Sequence, residues 1–187
     1  MRLLRAHGRR LVERLEQRRA LDVRRNPVRM VYALNQAHKV LILCQGNVIR
    51  SVFAAHLLSA AVRNRTDISI LSAGLATKPG WPAHPRVIAR GEALGLQLRE
   101  HTSVAVTSAM LAAADVVLVM DFSQLVAVTR RFFGARRRTF LLTSMAADGP
   151  IEIRDPAGQN DAAVDRCLDD VARAIKPIAE WLTARGT

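Results

Sequence analysis

The sequence predicts an α/β fold in which a four-stranded parallel sheet is flanked by helices on both faces. Short apolar runs alternate with longer amphipathic stretches, and this alternation is typical of strands joined by crossover helices. The run at 39–44 is short, apolar and bounded, as expected for a buried parallel strand. Half of the 187 residues are apolar, which is enough for one domain with a substantial core.

The predicted elements can be placed in order along the chain. They are strand 39–44, helix 50–64, strand 67–72, helix 85–94, a short helix from Thr107, strand 115–120, a basic helix to about Phe133, strand 139–142, a loop over 143–158 and a helix over 160–184. Gly95 ends the helix before it, since glycine readily takes the left-handed conformation of a C-terminal cap. We expect right-handed crossovers between the strands. In such parallel sheets the ligand sits at the carboxyl ends of the strands.

The most informative stretch is CQGNVIRS, Cys44 to Ser51, directly after the first strand. Gly46 lets the backbone turn tightly, so that the amides between Cys44 and Arg50 can converge on a tetrahedral anion. A helix that begins near Arg50 would add a positive field, which favours an anionic nucleophile such as a thiolate. The planar guanidinium of Arg50 can bind two anion oxygens at once. This pattern indicates covalent phosphoryl transfer through a cysteine.

Four ordered motifs resemble the low-molecular-weight protein tyrosine phosphatases. CQGNVIRS resembles the family signature CxGNxCRSP, and the three later motifs are LSAG at 71–74, DVVLVMD at 115–121 and IRDP at 153–156. The resemblance covers about residues 38 to 185. It implies a Rossmann-like sheet of the low-molecular-weight phosphatase type and a cytoplasmic enzyme that needs neither metal nor cofactor.

The resemblance also implies a role for individual residues. Cys44 would attack phosphorus, Arg50 would bind the phosphoryl oxygens, and Asp155 would protonate the leaving group and later activate water. Ser51 would hydrogen-bond the thiolate, while Asn47, supported by Ser72, would fix the loop. The remaining loop residues, Gln45, Gly46, Val48 and Ile49, would contribute to phosphate binding and loop support. The implied substrate is a phosphotyrosine protein, and a tyrosine kinase is an implied partner.

Three positions depart from the family pattern. Ile49 stands where a second cysteine is usual, so Cys44 lacks a nearby thiol that could trap its oxidised form as a disulfide. Val52 replaces a proline, and Ala157 replaces an aromatic residue that flanks the substrate ring. Trp81, in the loop 78–82, is a candidate substitute for that aromatic wall, with a surface anchor as the alternative interpretation.

The cysteine content excludes a disulfide scaffold. Cys44 and Cys167 are the only cysteines, which suits a reducing compartment. Cys167 lies in an amphipathic stretch and is expected to be a buried helix residue. No apolar run reaches membrane-spanning length, and no secretory signal follows the basic start of the chain.

Positive charge is concentrated at the start of the chain. Residues 1–30 contain ten arginines against three acids, a net charge of +7 of the total +12. Four apolar residues of this segment fall on one helical face: Leu4, Leu11, Val12 and Leu15. We therefore expect a basic, helical extension at 1–37 before a phosphatase domain at 38–187. An anionic membrane surface, an acidic partner, a nucleic acid and a solvated helix packed on the domain are all compatible with this extension.

The histidines and the alternative functions are supported by weaker sequence signals than the motif at 44–51. No His, Cys and acid cluster has the spacing of metal ligands. His101 is interpreted as structural, and His84 as a helix cap or an exposed surface residue. The run 136–138 is interpreted as a solvated turn that can attract an acidic partner. An arsenate reductase would need two more closely spaced cysteines. A binding protein for phosphorylated partners would not need a nucleophile and an acid together. A nucleic-acid binder is disfavoured, because a single tyrosine near the basic extension offers little base stacking.

Overall fold

The structure is a computed structural model that describes residues 27–185. The predicted apolar face formed by Leu4, Leu11, Val12 and Leu15 lies outside the described residues. The helices are α1 Pro27–Asn35, α2 Arg50–Ala61, α3 Pro85–Ala93, α4 Ser108–Ala113, α5 Phe122–Arg131 and α6 Asp161–Ala184. The strands are β1 Lys39–Cys44, β2 Ser69–Gly74, β3 Val116–Val119 and β4 Thr139–Leu141, and short 3₁₀ helices occupy Phe133–Ala135 and Leu142–Met145.

The four strands form one parallel sheet in the order β2-β1-β3-β4, which confirms the predicted fold class. The central strands β1 and β3 are almost wholly buried, as their continuous apolar runs predict. Strand β2 ends two residues later than predicted, because Ala73 and Gly74 pair with Leu43 and Cys44. The carboxyl ends of β1 and β2 therefore lie side by side, and the functional loops leave the sheet there.

Successive residues of β1 face opposite sides of the sheet and belong to different parts of the core. Val40, Ile42 and Cys44 pack in the cluster that contains α1, α2 and α6. Leu41 and Leu43 pack on the other face, against α4 and α5. Both faces are thus covered by helices, and the parity of the strand determines that Cys44 points towards α2 and α6.

Helix α1 joins the core from the end of the predicted extension. Its side chains Met30 and Leu34 are fully buried in the same cluster as Cys44. The guanidinium of Arg185 donates to the carbonyl of Leu34, and the indole of Trp181 donates to Asn35 Oδ1 at 2.9 Å. Pairing with the C-terminal helix thus fixes α1 on the domain, while the predicted boundary at residue 37 stays a prediction.

Each helix described between residues 27 and 185 is too short or too polar to span a lipid bilayer.

Candidate active site

The anion loop, residues 44–51, connects β1 to α2 and lies tightly against β2. The amides of Leu75 and Ala76 donate to the carbonyls of Cys44 and Gln45 at 2.9 and 3.0 Å. A Cβ on Gly74 would stand 3.0 Å from the Gln45 carbonyl oxygen and 2.7 Å from the methyl of Thr77. Glycine at position 74 therefore allows the close approach that seats the start of the loop.

Asn47 is the centre of the anion loop. Its Nδ2 donates to the hydroxyls of Ser51 at 3.0 Å and Ser72 at 2.9 Å, and its Oδ1 accepts from the amide of Val104 at 2.9 Å. The side chain is fully buried, so these three bonds fix the amide in one orientation. Asn47, with φ at 54°, is also the left-handed residue of the loop, a conformation that asparagine tolerates better than most residues. The role of Gly46 in the tight turn stays a prediction, and the left-handed conformation itself falls one residue later.

The Cys44 sulfur receives two polar contacts at the floor of the loop. Ser51 Oγ lies 3.0 Å from Sγ, and the amide of Asn47 donates to Sγ at 3.2 Å. Because the Ser51 hydroxyl already accepts from Asn47, its own hydrogen is available for the sulfur. Cys44 is 2% exposed, so the sulfur is recessed rather than presented at the surface. The arrangement is suited to stabilise a thiolate.

Helix α2 begins at the end of the loop. Its N-cap residue, Ile49, makes no side-chain hydrogen bond to the first-turn amides, and no acidic residue stands in that turn. The leading N–H groups of a helix lack intrahelical partners and favour negative charge. The N-terminus of α2 therefore remains suited to an anion, as the sequence predicts.

Arg50 brings distant parts of the chain together below the loop. The side chain is 2% exposed, and its Nη1 donates to Asp121 at 3.2 Å and to the carbonyl of Ile153 at 3.1 Å. Its Nη2 pairs with Asp155 Oδ2. A buried guanidinium is tolerated only when it is paired and hydrogen-bonded, and both conditions are met here. The predicted cation and the predicted acid are thus in direct contact.

Asp121 and Gln124 belong to this network, and sequence reasoning gave neither of them a role. Asp121 Oδ2 accepts from Gln124 Nε2 at 2.7 Å as well as from Arg50, and Oδ1 accepts from Gln124 N at 2.8 Å and Ser123 Oγ at 2.6 Å. Gln124 is 3% exposed, and its Oε1 accepts from the amide of Met120 at 3.0 Å. Asp121 therefore caps α5 and positions Arg50 at once. The sequence signal that could have indicated this role is Asp121 itself, the acid that ends the DVVLVMD motif.

The acid loop, residues 148–160, places Asp155 beside Arg50. The carboxylate of Asp155 accepts from the amide of Ala157 at 3.2 Å, and its carbonyl accepts from Gln159 at 2.9 Å. Its side chain is 39% exposed. A cavity of about 300 Å³ lies between this loop and the first turns of α6, and none of its lining residues comes from the anion loop. Asp155 is thus supported mainly by local contacts and by Arg50.

The loop that carries Trp81 is attached to the anion loop through its backbone. His84 N donates to the carbonyl of Val48 at 2.9 Å, and Trp81 exchanges hydrogen bonds with Ser103. The indole of Trp81 is 61% exposed. Ala157 follows Asp155 by two residues, is exposed and supplies no aromatic ring. A substrate-binding role for Trp81 stays a prediction.

His101 supports the anion loop from outside. Its Nε2 lies 2.8 Å from the Asn47 carbonyl, which can only accept, so Nε2 carries a proton. Burial lowers the pKa of His101 below its usual value; the bond to Asn47 opposes this effect and the nearby His56 adds to it. The structural interpretation of His101 agrees with this contact. His84 caps α3, since its ring accepts from the amide of Arg86.

Cys167 lies in α6 and lines the cavity behind the acid loop. Burial raises the pKa of its thiol to about 12, against a smaller opposite effect of the Arg50 charge. The thiol therefore stays protonated at neutral pH and is a poor nucleophile. Cys167 is 6% exposed, as expected for a buried helix residue.

Most of the predicted site residues thus meet at the carboxyl edge of the sheet. Cys44, Asn47, Ser51 and Ser72 form one hydrogen-bonded group, and Arg50 with Asp155 forms a second one beside it. The other residues of the anion loop are Gln45, Gly46, Val48 and Ile49. Within residues 27–185, no three His, Cys, Asp or Glu side chains are grouped so that they could bind a metal ion.

Comparison with known proteins gives a consistent result. The sequence profile described as "Low molecular weight phosphotyrosine protein phosphatase" matches residues 39–186. The probable low molecular weight protein-tyrosine-phosphatase EpsP of Ralstonia nicotianae is 28% identical over 147 residues, which cover 79% of this chain and 97% of that protein.

Two solved structures show the same fold. The tyrosine phosphatase Wzb from Escherichia coli K30, in complex with sulphate, has a TM-score of 0.71 at 31% identity and covers 79% of this chain and 99% of its own. The YwlE arginine phosphatase from Geobacillus stearothermophilus has a TM-score of 0.71 at 25% identity, with 79% and 94% covered. From the match over 39–186 and the shared fold, the chain belongs to the low molecular weight phosphotyrosine protein phosphatase family.

Proposed function

We propose that this chain is a metal-independent phosphatase that hydrolyses phosphomonoesters through a phosphocysteine at Cys44. The observation that carries the proposal is the position of the Cys44 sulfur, which lies at the floor of the anion loop within 3.0 Å of Ser51 Oγ and 3.2 Å of the Asn47 amide. This environment supports a thiolate without help from a metal ion. The E. coli Wzb structure is a complex with sulphate, a tetrahedral anion of the same kind.

The chemical steps follow from the residues that surround the sulfur. The thiolate of Cys44 attacks phosphorus and forms an S–P bond while the bond to the leaving oxygen breaks. Arg50 and the amides of the loop stabilise the charge on the phosphoryl oxygens. Once the substrate displaces Asp155 from Arg50, the Asp155 carboxylate takes up a proton from solvent and gives it to the leaving oxygen. The regenerated carboxylate then takes a proton from the water that hydrolyses the intermediate. Ser51 stabilises the thiolate as it departs.

Phosphotyrosine on proteins is the proposed substrate. The sulfur is recessed, since Cys44 is 2% exposed and both Asn47 and Ser51 are fully buried. A phosphate on a long, flat side chain can reach such a floor, whereas phosphoserine carries its phosphate close to the backbone. A protein tyrosine kinase is a proposed partner, and the cytoplasm is the proposed location because the two cysteines of the chain are both free.

The first test is hydrolysis of p-nitrophenyl phosphate by the wild type and by Cys44→Ser. We expect activity that persists in EDTA, falls with vanadate and disappears in Cys44→Ser. Cys167→Ser is the matched control and should keep its activity, because that thiol is protonated and lies outside the anion loop. Equal loss in both cysteine variants, or no activity in a folded wild type, would contradict the proposal.

A second test concerns the substrate. Peptides that carry phosphotyrosine, phosphoserine or phosphoarginine should be compared at equal concentration, because the solved relatives include an arginine phosphatase. We expect phosphotyrosine to have the highest kcat/KM. Faster hydrolysis of phosphoarginine would keep the phosphocysteine mechanism and reject the proposed substrate.

A further inference from the structure

A second charged feature lies at the end of the sheet opposite to Cys44. We define the basic turn as the segment 130–137, which ends α5, passes through the 3₁₀ helix Phe133–Ala135 and leads into β4. Because the strands are parallel, the start of β4 lies at the amino edge of the sheet and the end of β1 lies at the carboxyl edge. The basic turn is therefore remote from the anion loop.

The basic turn has an unusually one-sided charge. No acidic residue occurs between Asp121 and Asp148, whereas five arginines lie in that interval. Four of them are exposed and flank the tip of the turn: Arg130, Arg131, Arg136 and Arg137. At the same edge of the sheet, the Asp115 carboxylate already accepts from the amides of His38 and Lys39. That acid is therefore committed to the backbone.

Structural roles explain only some of these arginines. Arg130 and Arg131 stand in the last turn of α5, where cations interact favourably with the helix dipole. Arg138 donates to the carbonyl of Leu111. The side chains of Arg136 and Arg137 make no hydrogen bond or ion pair with any residue that the structure describes. Their charges are directed to solvent and remain unexplained by the fold.

The tip of the turn also exposes an aromatic ring. Phe132 packs partly against the core cluster on the α5 face, but Phe133 is 79% exposed, more than any other large apolar side chain among residues 27–185. A Cβ placed on the neighbouring Gly134 would meet no atom within 4 Å, so the tip protrudes rather than lining a groove. A protruding phenyl ring among arginines is suited to a negatively charged surface into which the ring can insert.

We propose that the basic turn docks this protein on an anionic phospholipid surface, with Phe133 inserted at the level of the headgroups. Charge complementarity favours an anionic partner, and the convex tip favours a bilayer over an acidic peptide, which would need a groove for its backbone. In this orientation the anion loop faces away from the membrane. The proposal does not depend on the proposed enzymatic function.

The test is co-sedimentation of the full-length protein with vesicles of phosphatidylcholine, with and without phosphatidylglycerol. We expect binding only to the anionic vesicles, weakened by salt. Arg136→Gln/Arg137→Gln should weaken it by about fivefold for each arginine. Phe133→Ser should weaken it by about tenfold through the lost apolar burial. Every variant keeps residues 1–26, so any contribution of those residues is common to all of them.

Matched controls separate a docking site from general charge. Lys78→Gln/Lys176→Gln removes two exposed cations outside the basic turn, and Tyr32→Ser removes an aromatic side chain that is 72% exposed on α1. These variants should bind vesicles nearly as well as the wild type. An equal loss in the control pair, or unchanged binding by Phe133→Ser, would overturn the proposal.

Two further measurements test whether the variants are otherwise unchanged and whether the partner is an acidic polymer. Melting temperature and p-nitrophenyl phosphate hydrolysis should be unchanged in the basic-turn variants, because none of the substituted side chains touches the core or the anion loop. Binding to poly-glutamate and to duplex DNA should be measured in parallel. If the basic-turn variants lose only those ligands and keep vesicle binding, the partner is an acidic polymer and the membrane proposal is wrong.

Discussion

The anion loop and the acid loop meet at Arg50 but are built very differently. In the anion loop, Cys44, Asn47, Ile49 and Ser51 are each at most 5% exposed, and hydrogen bonds tie the loop to β2, to His101 and to Val104. The acid loop is largely exposed, and a cavity of about 300 Å³ separates it from α6. The proposed nucleophile, Cys44, is thus held by many contacts, and the proposed acid, Asp155, by few.

This difference matches the different requirements of a nucleophile and of a general acid. A nucleophile and an oxyanion site must be preorganised, because reorganisation during the reaction would cost rate. An acid on a less packed loop can move while the leaving group arrives and departs. Substitutions in the anion loop should therefore reduce both stability and activity, and those in the acid loop should reduce activity alone.

The largest effect is expected from Asp155→Asn. Loss of the proton donor should lower kcat by about 10²- to 10⁴-fold for aryl phosphates with poor leaving groups. Inorganic phosphate should bind at least as tightly as in the wild type, because Arg50 is released from an anionic partner. Steady-state kinetics with phosphate as inhibitor measure both. The control is Asp148→Asn in the same exposed loop, and unchanged turnover in Asp155→Asn would remove Asp155 from the mechanism.

Asn47→Gly should affect stability and activity together. The variant keeps a backbone that accepts φ of 54° but loses three side-chain hydrogen bonds, which corresponds to about 3 kcal/mol of unfolding free energy. Misplacement of Ser51 and of the loop amides should also lower kcat by about 10²-fold. Urea unfolding and p-nitrophenyl phosphate kinetics give the two numbers. Asn64→Gly, in an exposed turn, is the control; equal behaviour of the two variants would contradict the role of Asn47.

Gln124→Leu tests the positioning of Arg50 by the start of α5. Asp121 would lose one of the two donors on the oxygen that faces Arg50, and we expect kcat/KM to fall about tenfold. The inhibition constant of phosphate should weaken in parallel, since Arg50 binds the anion. Gln97→Leu, at an exposed position, should have no effect. A purely structural role would lower the melting temperature and leave phosphate affinity unchanged.

The pH dependence of stability should include a contribution from His101. The folded protein lowers the pKa of His101 below the ordinary value of 6.5, so the unfolded chain binds the proton more readily. Stability should therefore fall as pH drops below 6.5 and level off below the folded pKa, by less than about 1.4 kcal/mol per pH unit. His101→Gln keeps a donor for Asn47 but does not titrate. Its urea midpoint should change less between pH 7.5 and 5.5 than that of the wild type, and an identical change would reject this assignment.

The smallest effect concerns the second thiol. The pKa of Cys167 is about 12, so iodoacetamide at neutral pH should leave this residue unmodified in the folded protein. Mass spectrometry should find one adduct, on Cys44, and its formation should follow the loss of activity. Unfolded protein, in which both thiols react, provides the control. Rapid labelling of Cys167 in the native state would show that the thiol is accessible and ionised.

The sequence predicted the fold and the anion loop because their signals are local. The strands are short apolar runs, and Cys44, Asn47, Arg50 and Ser51 lie within eight residues of each other. The parity of β1 and the closeness of β2 then follow from the geometry of a parallel sheet.

The missed features depend on contacts between distant segments. Asp121 acts on Arg50 only because β3 lies beside β1, and Gln124 matters only through Asp121. The burial of Met30 and Leu34 in α1 was concealed by the basic composition around them. The left-handed conformation of Asn47 was not predicted, because its cost is compensated by side-chain bonds to segments distant in sequence.

Because Asp155 contacts Arg50, a carboxylate of the protein itself competes with anionic ligands for the guanidinium. The carboxylate is tethered beside the guanidinium, so its effective concentration there is far above that of any anion in solution. A ligand must displace it, and its apparent affinity is reduced by the fraction of molecules in which Arg50 is occupied. Singly charged anions, such as acetate or chloride, gain little from this exchange, whereas a phosphate dianion also gains from the amides and the dipole of α2. The tethered Asp155 carboxylate should therefore disfavour the binding of common monovalent anions at Arg50.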